Sequence, residues 1–224
     1  MKQIGCLYIV ATPIGNYRDI TLRALDVLRE ADAVICEDYR LGSTLLKKLD
    51  VPAKEMLLLN EHNEKEKAAE IAMQLVQGSR FALISDCGTP AFADPGTYLI
   101  QNALEFQVPV IPIPGASSLM ALLSVSPLPV NQFFFAGFPP RQTEARLARL
   151  NTLAKMNVPL VLMDTPYRLE KLLAEVKRAF GKHRTITLAL DLTLESEKIL
   201  HGSVDEISRQ IGSRKCEFML LIHS

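Results

Sequence analysis

The residues able to do chemistry in this chain stand just behind short apolar runs. The run 81–84 is apolar throughout and breaks at once into Ser85-Asp86-Cys87-Gly88-Thr89-Pro90, with Asp94-Pro95-Gly96 beyond it. A carboxylate next to glycine and hydroxyl groups can accept from a ligand's amine or hydroxyl while backbone approaches closely. The alternative for Asp86 is an Asx-turn or a helix cap. Asp94-Pro95-Gly96 reads as a helix start, with a cap residue and a proline in the first turn. Four companion clusters have the same placement. Thr12-Pro13-Ile14-Gly15-Asn16 follows the run 4–10, and Glu37-Asp38-Tyr39-Arg40 follows 33–36. Glu61-His62-Asn63-Glu64 follows 56–59, and Pro114-Gly115-Ala116-Ser117-Ser118 follows 108–113.

The elements that must position these clusters follow from hydrophobic spacing. Between the apolar runs lie helical patterns, so the first half reads as β-α repeated. Strands that are apolar on both faces belong to a parallel sheet with helices on either side. In such a sheet all strand C-termini share one edge, so the clusters meet at one rim although they lie far apart in sequence. Ser126-Pro127-Leu128-Pro129-Val130-Asn131 is the expected linker, which gives domains 1–126 and 132–224. In the second half some strands follow one another without a helix between them, so a mixed sheet is expected. The fold class is α/β, in two domains.

Hydrophobic residues make up 48% and charged residues 22% of the 224, which describes a globular chain. Lys+Arg and Asp+Glu are both 25, so any RNA contact needs a local patch and not a global charge. Cys6, Cys36, Cys87 and Cys216 form no C-x-x-C pair, which argues against structural zinc and for free thiols. No apolar run reaches membrane-spanning length, and no secretory or other targeting segment is visible, so the expected location is the cytoplasm. The first loop holds Gly15 but no glycine-rich fingerprint, which excludes the standard dinucleotide and Walker sites.

Taken in order, these motifs resemble those of the ribosomal RNA small subunit methyltransferase I family, within the tetrapyrrole methylase superfamily. The resemblance rests on Thr12-Pro13-Ile14-Gly15-Asn16 with 19–24, Glu37-Asp38-Tyr39-Arg40, Glu61-His62-Asn63-Glu64, 85–90 with 94–96, Pro112-Ile113-Pro114-Gly115 and Gly137-Phe138-Pro139-Pro140-Arg141. It implies a two-domain tetrapyrrole methylase-like fold with S-adenosylmethionine between the domains, and a homodimer. It also implies 2′-O-methylation of a cytidine ribose in 16S rRNA of the 30S subunit. On this reading Pro13, Asp86, Gly88, Thr89, Ser117 and Met163 hold the cofactor. Ser117 can equally be a plain helix cap, and Met163 a core residue. Asp38, Glu61, His62 and Glu64 are the candidates for a catalytic base, each with a salt bridge or solvated loop as its plainer role. Arg40, Asn63 and Arg141 face the substrate, and Arg146 and Arg149 extend Arg141 into a phosphate-binding face or a solvated helix face. No metal is expected.

Several positions depart from the family pattern. Tyr39, Gln142, Leu190 and Leu194 stand where the family has Thr, Lys, Arg and Lys, and three of these changes remove positive charge. The chain ends at the last expected core strand, without the family's usual extension. A small tetrapyrrole-like acceptor is therefore kept as an alternative substrate, and a non-catalytic RNA- or ribosome-binding paralogue as a different class.

Overall fold

An apolar strand without alternation has to be covered on both sides, and the first half of the chain is built that way. The computed structural model describes residues 4–224. Its first unit, ending at Ser117, contains β1 (Cys6–Val10), α1 (Leu22–Glu30), β2 (Ala33–Cys36), α2 (Tyr39–Lys48), β3 (Glu55–Leu58), α3 (Glu64–Val76), β4 (Arg80–Ile84), α4 (Thr97–Glu105) and β5 (Val110–Ile113). The strands are all parallel, in the order β3-β2-β4-β1-β5. Successive residues of β4 point to opposite faces. Ala82 and Ile84 pack with Ala24 and Leu28 of α1 and Leu45 and Leu46 of α2. Phe81 and Leu83 pack with Ala68, Ile71 and Leu75 of α3 and Leu99 and Ala103 of α4.

That strand order sets the position of the site. Both neighbours of β4, namely β2 and β1, are followed by helices on one face, whereas α4 leaves β4 for the other. Where the connections of adjacent strands depart to opposite faces, a crevice opens at the carboxyl edge of the sheet. The turn 85–96 occupies that end. Tyr17–Asp19 forms a 3-10 turn, and α1 is capped by Thr21, whose Oγ1 accepts from the Ala24 N–H at 3.1 Å.

The second unit runs from Ser118. It contains α5 (Ser118–Ser124), β6 (Phe134–Gly137), α6 (Thr143–Leu153), β7 (Leu160–Asp164), α7 (Leu169–Phe180), β8 (Thr185–Leu190), β9 (Lys198–Ser203), α8 (Val204–Ile211) and β10 (Phe218–Ile222). Its sheet has the order β6-β7-β10-β8-β9, with β6 and β7 parallel and the other pairs antiparallel, a mixed sheet as expected. Leu150, Leu172, Val176 and Ile207 from α6, α7 and α8 cover one face. On the other, Leu122 of α5 packs against Val161, Ala189, Met219 and Leu221. This contact draws α5 into the second unit, so the chain divides at 117/118, ahead of the proline-bracketed segment.

His223 is buried, 3% exposed, with Nε2 2.9 Å from the Thr187 hydroxyl. Burial pushes its pKa down. No helix among the described residues is long and apolar enough to cross a membrane.

Candidate active site at the β4 rim

Three loops of the first unit are tied together where β1, β4 and β5 end. The buried Thr12 donates its N–H to the Gly88 carbonyl at 2.8 Å, and its hydroxyl lies 3.0 Å from the Ser85 carbonyl and 3.2 Å from that of Gly88. Thr89 Oγ1 donates to the Ala116 carbonyl at 3.4 Å, and the Ala11 N–H to that of Ile113 at 3.1 Å. Gly88 has φ +87°, a region that disfavours side chains, and a Cβ there would lie 3.2 Å from Ile14 Cγ2. Pro13 is buried beside this junction. Pro13, Gly88 and Thr89 thus share one short stretch of rim, and Ser117 lies just past Ala116.

The turn folds on itself differently from the sequence expectation. Asp94 does not cap α4. Its carboxylate accepts from Ser85 Oγ at 2.6 Å, and Ser85 Oγ also accepts from the Cys87 N–H at 3.0 Å. The N-cap of α4 is Gly96, at φ +136°, which has no side chain to cap with. Glu64 takes that role from thirty-two residues away, its Oε1 accepting from the Gly96 and Tyr98 N–H groups, both at 2.8 Å. Glu64 is 8% exposed, and its charge sits at the positive end of α4. Its carboxylate holds the fold together at this point and is not presented as a base.

Carboxylates crowd the same rim. Burial first, then the charges of Asp86, Asp94, Glu61 and Asp38, push the Glu37 carboxyl up from the usual carboxylate range. Burial, then Asp38 and Asp94, push Asp86 up, partly offset by a backbone hydrogen bond from Asp38. Burial, then the charges of Asp86 and Asp38, raise the Cys36 thiol to about 11. Glu37 was not among the expected site residues. Its signal is not its own motif but the carboxylates brought beside it by β4. Asp38 caps α2, its Oδ1 accepting from the Arg40 and Leu41 N–H groups at 2.6 and 3.2 Å. Glu61 and His62 are exposed and pair with each other at 3.6 Å.

A carboxyl raised in the folded state binds its proton more tightly there than in the unfolded chain. Its stabilising contribution is present below the unfolded pKa of about 4 and is lost as pH rises through the raised value. Asp86→Asn removes this repulsion. The variant is expected to melt no higher than wild type at acid pH and slightly higher at neutral pH, by under about 1 kcal/mol because the group is solvent-screened. Thermal melts of both proteins across that pH range check this. A variant less stable than wild type at neutral pH contradicts the repulsive cluster.

In fold, the chain is similar to a solved cobalt precorrin-4 methyltransferase of cobalamin biosynthesis, with a TM-score of 0.66 at 20% identity over 97% of this chain and 94% of that one. Residues 6–208 match the Tetrapyrrole (Corrin/Porphyrin) Methylases family. The chain is also 36% identical over 222 residues to the Ribosomal RNA small subunit methyltransferase I of Pasteurella multocida, covering 97% of this chain and 79% of that protein. The chain belongs to the ribosomal RNA small subunit methyltransferase I family. To the member from Micromonospora olivasterospora it is 38% identical over 207 residues, covering 92% of this chain and 66% of that protein.

Against the pattern of that methyltransferase I family, the remaining residues fall as follows. Arg40 is exposed in the first turn of α2. Asn63 is spent within its own loop: Nδ2 donates to the Leu58 carbonyl at 3.1 Å, and Oδ1 accepts from the Asn60 N–H at 2.8 Å. Met163 is half-buried against the cluster of Leu122, Val161 and Ala189. Arg141 is exposed, but Arg146 does not extend it into a solvent face, since Arg146 is 1% exposed. Arg149 lies over the Phe134 ring, 5.8 Å from its centroid. Among the altered positions, the Tyr39 hydroxyl donates to the Met56 carbonyl, Leu190 is in the core of the second unit, Gln142 precedes α6, and Leu194 is exposed.

Proposed function

We propose that this chain is an S-adenosylmethionine-dependent methyltransferase of small-subunit ribosomal RNA, acting on the 2′-hydroxyl of a cytidine ribose in 16S rRNA. The observation that carries the reading is the identity of 36% over 97% of the chain to a protein named for that class of reaction. The rim supports the cofactor. Glu37 and Asp86, raised by burial and then by neighbouring carboxylates, mark a negative rim that suits a cation, and it suits the α-amino group and ribose hydroxyls of the same ligand. A polyphosphate would meet repulsion there. Bound S-adenosylmethionine supplies an electrophilic methyl group on a sulfonium.

The chain's own residues bind, orient and take a proton. Asp86 accepts from the ligand's amine or ribose, Gly88 brings backbone close, and Pro13, Thr89 and Ser117 shape the same edge. An in-line displacement depends mainly on placing the acceptor oxygen. A proton acceptor adds a factor of roughly 10² to 10⁴. Asp38, Glu61 and His62 remain open for that role, and Glu37, whose raised pKa brings it nearer neutrality, joins them. Arg40 and Arg141 contact phosphate and set register on the RNA. The working form is a cytoplasmic homodimer, checked by light scattering on the purified protein.

The test is methyl transfer from radiolabelled S-adenosylmethionine to 30S subunits taken from a strain lacking the gene. The expected product is one 2′-O-methylated cytidine in 16S rRNA. Transfer to a small corrin or porphyrin acceptor, with 30S subunits inert, would move the substrate to that class. Calorimetric binding of the cofactor without turnover would make the chain a ribosome-binding paralogue. No heat of binding at high cofactor concentration would overturn the cofactor reading itself.

A further inference from the structure

The turn 139–141 after β6 has a bonding problem that its sequence cannot solve locally. Pro139 and Pro140 have no N–H, so neither residue can donate to a neighbouring carbonyl. The carbonyls of Pro140 and Arg141 are taken instead by a side chain from the next helix. Arg146 Nη1 donates to the Pro140 carbonyl at 3.1 Å and to that of Arg141 at 2.7 Å. Its Nε and Nη2 make a bidentate pair with Glu175 of α7 at 2.5 and 2.7 Å, and Nη2 also donates to Thr143 Oγ1 at 3.3 Å. A guanidinium has five N–H donors, and these five acceptors use them all. A second guanidinium, from Arg168, reaches the Pro140 carbonyl at 3.4 Å and pairs with the buried Asp164. What the turn leaves to solvent is Phe138, 52% exposed, and Arg141, which makes no ion pair among the described residues.

We propose that the buried Arg146–Glu175 pair is a positioning device that fixes this proline turn so that Arg141 meets a phosphate of the RNA. The inference rests on the ribosomal RNA reading above. Its physical ground is that a buried ion pair is a poor source of stability: well-packed apolar residues in the same space usually serve the fold as well or better. Arg146 and Glu175 are 1% and 8% exposed, and the geometry of their pair converges on two carbonyls of one turn. What the pair supplies is the direction in which the turn points. Both residues act through Arg141 and touch no reacting atom.

The test uses the double replacement Arg146→Met with Glu175→Leu, which leaves no unpaired charge. Its melting temperature is expected to equal or exceed that of wild type. Its KM for 30S subunits rises about tenfold, the scale of one charge-assisted contact, while kcat changes little. Tryptic cleavage between Arg141 and Gln142, located by mass spectrometry, becomes faster than in wild type. Arg141→Ala alone gives a similar KM, and the triple variant is no worse than either, because both changes remove the same contact. Arg146→Lys, which keeps the charge but not the fork, gives the same KM rise should the double variant fail to fold. An unchanged KM in a folded variant, or additive effects of the two changes, overturns the proposal. Wild type inert on 30S subunits sinks the RNA reading alone, and the device is then judged by the rate of cleavage after Arg141.

Discussion

Gly88→Val is expected to weaken S-adenosylmethionine binding at least about 100-fold, a difference of about 2.7 kcal/mol. Gly88 stands at the end of β4 with φ +87°, and its carbonyl is held by the Thr12 N–H and hydroxyl. The first added carbon would lie 3.2 Å from Ile14 Cγ2 and 3.9 Å from the Ala116 carbonyl. A β-branched residue puts two further carbons into that space and resists the left-handed conformation, at about 1–2 kcal/mol of strain. The fold can move the turn to accommodate it, but the turn then leaves the place where Thr12 and Ala116 hold it. Gly88→Ala should show a smaller loss of the same kind. Calorimetric titration with the cofactor, alongside a thermal melt, separates lost binding from lost fold. Full affinity in a folded Gly88→Val protein would take this turn out of the cofactor site.

The second large effect concerns stability. Glu64→Ala leaves the N–H groups of Gly96 and Tyr98 without their acceptor at the start of α4, and Gly96 is buried. Losing a charged acceptor for two such donors is expected to cost about 2–4 kcal/mol. In a chain of this size that lowers the melting temperature by roughly 5–15 °C. Glu64→Gln keeps an oxygen in place and should recover most of the loss. It also separates the two roles of this residue. A catalytic base replaced by its amide loses roughly 10² to 10⁴ in rate with the fold intact. The capping role predicts turnover within a few-fold of wild type for Glu64→Gln. A stable but inactive Glu64→Gln protein would restore Glu64 as the base.

Much of the molecule is legible from local pattern. The runs 33–36, 185–190 and 218–222 form strands at those positions because β-structure depends first on apolar spacing and flanking turn residues. Likewise, helices without capping side chains of the expected kind still formed where an apolar stripe was present. The polar clusters behind the strands had to share a rim once the sheet was parallel. The mixed second sheet followed from strands without intervening helices.

Pairings across tens of residues were decided only by the tertiary structure. The strand order, which sets β4 between two strands whose helices lie on the opposite face, is a property of topology and leaves no mark in any one segment. Glu64 reads locally as part of a polar motif; its partners are Gly96 and Tyr98, reached because α3 and α4 lie side by side on one face. Arg146 has the helical spacing of a solvated arginine, yet it is buried by Glu175, twenty-nine residues on, and by the turn it holds. Asp94 has the sequence of a cap and instead binds Ser85. Periodicity reports which face of an element is apolar. Whether a charged residue ends in water or in a buried pair depends on what chain closure brings against it, and that is a sum over the whole fold.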